Sequence, residues 1–62
     1  MTPERARVLN LTFDTIIRED PNAPHEHFYA ETARRCHSSR EEIDAAFSFL
    51  AINGVLKFGA SS

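Results

Sequence analysis

The sequence predicts a mainly α-helical fold of three helices, the last two joined by a tight turn, with one short strand at the C-terminal end. Three observations predict it. Apolar residues recur at helical spacing in two stretches, Leu9, Phe13 and Ile16, then Ile43, Ala46, Phe47 and Leu50. Two breakers divide the chain, Asp20-Pro21-Asn22-Ala23-Pro24 and the serine turn His37-Ser38-Ser39. After Asn53-Gly54 the apolar run Val55, Leu56, Lys57, Phe58 reads as a strand.

A chain of 62 residues makes one domain, spanning 1–62. A domain of this size buries only about 60% of the surface its unfolded chain exposes, which leaves a thin stability margin. The apolar fraction, 42%, is that of a globular protein and too high for a disordered one. A single cysteine forms no internal disulfide, and the N-terminus has no cleavable leader pattern. No apolar run is long enough to span a bilayer, so the expected setting is cytoplasmic, with no membrane partner. The net charge of −2 supplies no general attraction to nucleic acid, so any such binding needs a local patch.

Thr2-Pro3-Glu4 is a compact helix start: threonine caps, proline suits the first helical position, and an acid sits near the positive end of the helix dipole. Behind it Leu9, Phe13 and Ile16, with Ala6 and Ile17, form the buried stripe, while Arg5, Arg7, Asp14, Arg18 and Glu19 fall mostly off it. The helix is expected to end at Arg18 or Glu19, because the prolines that follow bias their preceding residues away from helix. The second helix begins between Pro24 and Glu26. Its spacing turns Phe28 or Tyr29, with Ala33 and Cys36, inward, and Thr32 shares the Phe28 line.

The third helix has the clearest start. Ser38 with Glu41 and Ser39 with Glu42 both show the spacing in which a serine oxygen caps a free backbone N–H and the glutamate reaches back. Glu41, Glu42 and Asp44 suit the dipole there, and Asn53-Gly54 ends the helix near Asn53. With so few residues in the turn, the second and third helices cross steeply rather than packing as a long hairpin. The terminal strand needs a partner: the extended chain around Ala23 to His27, or the same strand of a second molecule.

Residues 28–58 resemble the helix-turn-helix family and, within it, the winged-helix proteins. Ala33 matches the small residue of the family's first helix, Cys36 the apolar residue before the turn, and Ile43 and Ala46 the apolar positions of the recognition helix. Phe47, Leu50, Gly54, Val55 and Leu56 look like the run in which a recognition helix passes through a glycine into the first wing strand. The chain departs from the pattern at His37, where the family favours glycine, and at Ser38, where it favours an apolar residue. Only Gly59, Ala60, Ser61 and Ser62 follow Phe58, so the wing is minimal or absent. The resemblance implies a small dimeric transcription regulator that binds double-stranded DNA.

The candidate nucleic-acid site is the turn. Arg34, Arg35, His37 and Arg40 surround it, Ser38 and Ser39 can donate to phosphate oxygens, and Ser39, Arg40 and Glu41 would lie nearest the bases. Glu41, Glu42 and Asp44 oppose DNA entry at the same helix start, and the alternative is a solvated turn whose charges pair locally. A second apolar line, Ala45, Phe49 and Ile52, extended by Val55 and Phe58, marks a dimer or protein-partner face, against the alternative of a fully internal helix. That gives a second function: a non-enzymatic protein-interaction module of phage-type or accessory kind that keeps the fold without binding DNA.

His25, His27, Cys36 and His37 are zinc-ligand types, but a helix between the two pairs separates them by about 13 Å, so no metal site is expected. Adjacent Cys36 and His37 point in different directions and lack a third orienting group, and no glycine-rich phosphate loop is present. Neither an enzyme nor a cofactor is expected.

Overall fold

The structure, a computed structural model, describes residues 1–54. Three helices are present: α1 (Pro3–Glu19), α2 (His25–Cys36) and α3 (Arg40–Ile52). The strand expected at Val55 to Phe58, and with it any wing, lies outside the described residues.

Each helix is set by local chemistry at its ends. At the start of α1 the Thr2 side-chain oxygen accepts from the Arg5 backbone N–H at 3.2 Å, and Pro3 takes the first position. The helix stops at Asp20, whose N–H closes on the Ile16 carbonyl at 3.0 Å before the Pro21 turn. Between α2 and α3 the chain turns on His37, which adopts the left-handed conformation at φ 51°, ψ 49°. This is a position where glycine is the ordinary choice, because without a Cβ it adopts the left-handed region at no steric cost. The Ser38 N–H reaches back to the Ala33 carbonyl at 3.0 Å and completes the closure of α2. Of the two candidate caps it is Ser39 that starts α3, its Oγ accepting from the Glu42 N–H at 3.1 Å. At the far end Asn53 Nδ2 donates to the Phe49 carbonyl at 2.7 Å, and Gly54 takes the positive φ of 71°.

The core is one cluster: Ala6, Leu9, Phe13 and Ile16 from α1, Phe28 from α2, and Ile43, Ala46 and Leu50 from α3. Helix α1 lies between the other two and packs more extensively on each than they do on one another. Phe13 is the common neighbour, with ring centroids 5.8 Å from Phe28, 5.1 Å from Tyr29 and 4.9 Å from Phe47, all edge to face. Two of the readings of the faces need correction. Asp14, expected off the core face of α1, is buried beside it, with Arg18 Nε donating to its Oδ2 at 3.0 Å. Arg5 is not a free surface charge either, because it is half-buried and tethers α1 to both other helices. In α2 the open choice between Phe28 and Tyr29 falls on Phe28, which is buried with Tyr29 partly buried against the core, and Thr32 is fully enclosed.

The molecule is flat, with principal extents of 28 × 27 × 14 Å. Apolar side chains remain exposed on the outer faces, Val8 and Leu11 on α1 and Ile52 on α3. No described helix is long and apolar enough to cross a membrane.

Candidate functional site

The turn and the start of α3 bring the predicted basic residues into view, and each arginine already has an acidic neighbour. Arg34 Nη2 donates to Glu31 Oε1 at 2.6 Å, one turn back on α2. Arg35 divides its donors between Glu31 at 3.2 Å and Glu19, at the end of α1, at 3.0 Å. Arg40 crosses from α3 to α2, donating to Glu26 Oε1 at 2.6 Å with its guanidinium 4.1 Å from the centre of the Tyr29 ring. The Tyr29 hydroxyl in turn donates to Asp44 Oδ1 at 3.0 Å.

The electrostatic effects follow these contacts. The Arg34 hydrogen bond, opposed by partial desolvation and helped by Arg35, lowers the Glu31 carboxyl to about 2. Hydrogen bonding to Arg5 holds Glu42 below the usual carboxylate range, with smaller contributions from the N-terminal ammonium and the Ser39 backbone N–H. Arg5 itself spans all three helices: Nε donates to Glu42 Oε2 at 2.9 Å, and Nη2 donates to the Cys36 carbonyl at 2.9 Å and to Glu42 Oε1 at 3.2 Å. Glu42 is therefore drawn mainly to Arg5 on another helix, beyond its reach back toward the cap.

The serines of the turn are occupied differently from what phosphate binding asks of them. The Ser39 hydroxyl caps α3, and Ser38 Oγ is buried with no hydrogen-bond partner among the described residues. His37 and Glu41 are exposed. A phosphate arriving at Arg34, Arg35 or Arg40 would have to take the place of a carboxylate. Exposed pairs of this kind are worth only about 0–1 kcal/mol, so the exchange is physically open.

The outer face of α3 is less charged than the turn. Glu41, Ala45, Ser48 and Ile52 are all exposed and follow one another at the spacing of one helix face, with Ile52 85% exposed. Phe49, half-buried, lies at the edge of this face against α1, where Pro3, Arg7, Phe49, Leu50 and Asn53 frame a depression of about 210 Å³. Ala45, Phe49 and Ile52 are therefore brought to one side of α3 as expected, and the alternative of a fully internal helix fails. Val55 and Phe58 lie outside the described residues.

Two contributors escaped the sequence reading. Arg5 looked like one charge among several on α1, and only the packing of the helices puts Glu42 within its reach. The stacking of Arg40 on Tyr29 depends in the same way on the helix crossing. Among the described residues no cluster of three or more histidine, cysteine or acidic side chains is placed to hold a metal ion. Half-buried Cys36 has Thr12 Oγ1 at 3.5 Å from its sulfur. No protein-family model, no curated protein and no solved structure matches the chain.

Proposed function

We propose that this chain is a small, non-enzymatic protein-interaction module that docks a protein partner along the outer face of α3. The observation that carries the reading is the make-up of that face. Glu41, Ala45, Ser48 and Ile52 offer small and apolar surface with an acidic start, and Arg40 beside them is already held by Glu26 and Tyr29. A helix entering a DNA groove meets phosphates on both sides, and Glu41 and Asp44 would meet them with carboxylates. An exposed isoleucine among small side chains suits a desolvated protein contact instead.

The second reading is the one the family resemblance implies: a winged-helix type of helix-turn-helix domain acting in the cytoplasm as a dimeric transcription regulator on double-stranded DNA. One observation favours it. Arg34 and Arg40 keep more than half of their side-chain surface exposed, at 69% and 52%, next to exposed His37 and the start of α3. A titration of a mixed-sequence DNA duplex, followed by fluorescence anisotropy at low salt, separates the readings. The interaction module predicts no saturable binding, and parent and Arg34→Ala/Arg35→Ala/Arg40→Ala variant behave alike. Saturable binding that the triple variant loses would overturn it in favour of the regulator.

A further inference from the structure

The partner of the α3 face can be narrowed, on the reading that this face docks protein. Among the described residues Arg5, Arg18, Arg34, Arg35 and Arg40 each have a carboxylate partner, whereas Arg7 has none. Glu41 likewise has no cationic partner among the described residues and is exposed at the first turn of α3. Glu4, Asp20 and Asp44 share that state, but it is Arg7 and Glu41 that flank the exposed line of α3, one toward each end. Arg7 shares the depression beside Phe49 and Asn53 at the C-terminal end, and Glu41 lies on the Ala45–Ser48–Ile52 line about 16 Å earlier along the helix axis.

We propose that the face is covered by a second copy of this chain, α3 against α3 in antiparallel sense about a twofold axis at the level of Phe47, midway between Ala45 and Phe49. In that arrangement Glu41 of each copy meets Arg7 of the other, and this ion pair forms twice in the dimer. Small Ala45 then lies opposite the larger Phe49 of the second copy, and Ser48, one residue from the crossing, lets the two helix backbones approach closely. A parallel arrangement would set Glu41 beside Glu41 and leave both arginines unmatched, so the charges select the antiparallel sense. The Ile52 side chain, 85% exposed in the single copy, gains cover.

Sedimentation equilibrium of the full chain across a wide concentration range tests this, with four variants: Ile52→Glu, Arg7→Glu, Glu41→Arg and the double Arg7→Glu/Glu41→Arg. The parent is expected to shift from monomer to dimer mass as concentration rises, and Ile52→Glu to stay monomeric with an unchanged helical circular dichroism spectrum. Each single charge reversal weakens the dimer at least about tenfold, because the repulsion occurs twice, and the double reversal restores it. Ser48→Arg, also on exposed surface, serves in place of Ile52→Glu should that variant lose its helices. A parent that remains monomeric throughout, a dimer indifferent to Ile52→Glu and Ser48→Arg, or a double reversal without rescue would each overturn the proposal. Failure here together with absent DNA binding leaves the module reading standing with a different protein partner. DNA binding lost in the triple arginine variant removes the module reading itself.

Discussion

Replacing Phe13 separates the two things that hold the three helices together, volume and ring geometry. The ring is 5% exposed and meets Phe28, Tyr29 and Phe47 edge to face at 5.8, 5.1 and 4.9 Å. Phe13→Ala leaves a cavity where all three helices converge, and such truncations cost about 3–5 kcal/mol. A domain of this length has about 3–9 kcal/mol in total, so this variant should sit close to its unfolding midpoint at room temperature. Phe13→Leu keeps most of the volume and loses the ring. Each edge-to-face pair is worth about 0.5–1.5 kcal/mol, and because three pairs sharing one ring do not add fully, the expected loss is about 1–3 kcal/mol. At about 4–8 °C per kcal/mol for a small domain, Phe13→Leu should melt roughly 5–20 °C below the parent. Urea titration followed by far-ultraviolet circular dichroism reads both variants, with Leu11→Ala on the exposed side of α1 as a control expected within about 0.5 kcal/mol of the parent. A Phe13→Leu protein as stable as that control would refute the assignment of Phe13 as the shared packing point.

Three further outcomes follow from the turn and the ion pairs. His37→Gly should stabilise the domain by about 0.5–1 kcal/mol in thermal unfolding, since a left-handed residue with a side chain is relieved of its steric cost, partly offset by glycine's freedom in the unfolded chain. Ser39→Ala should cost about 1 kcal/mol through the lost cap on the Glu42 N–H, while Ser38→Ala, which removes an unpartnered buried hydroxyl, should cost less. For Glu31 the folded carboxyl is lowered from 4.5 to about 2, so its contribution is present above about pH 4.5 and is lost as pH falls toward 2. Glu31→Gln should therefore melt below the parent at neutral pH, with the gap closing through that acidic window and shrinking with added salt because the pair is exposed. A gap that persists unchanged at pH 2 would contradict the assignment.

The sequence was most readable where periodicity and capping agree. Leu9, Phe13 and Ile16, and Ile43, Ala46 and Leu50, are buried as their spacing requires, and the ends of α1 and α3 fall where Thr2, Pro3, Asn53 and Gly54 indicate. The cap of α3 stayed open between two serines because both have the same spacing to a glutamate, and only the turn geometry selects Ser39. What could not be read is what depends on how the helices cross: the burial of Asp14, the reach of Arg5 to Glu42 and Cys36, and the docking of Arg40 on Tyr29. The same limit applies to the turn arginines, which the sequence groups by proximity along the chain. Their acids come from two helices, Glu19 on α1 and Glu26 and Glu31 on α2, and Glu19 and Glu26 are distant in sequence from the arginines they pair with. The apolar line of Ala45, Phe49 and Ile52 was legible from spacing; Ala45 and Ile52 lie on the side of α3 away from the core line of Ile43, Ala46 and Leu50 and stay exposed, while Phe49 is half-buried at its edge.

The most direct test of the central claim, that the outer face of α3 meets protein rather than DNA, is the salt dependence of duplex binding by the full chain. Three arginines acting on phosphates would give a slope of log K against log salt of about −3, at roughly −0.9 per contact. The account predicts no measurable binding from which to draw such a slope, even at low salt. A slope near −3 that disappears in the Arg34→Ala/Arg35→Ala/Arg40→Ala variant would contradict it.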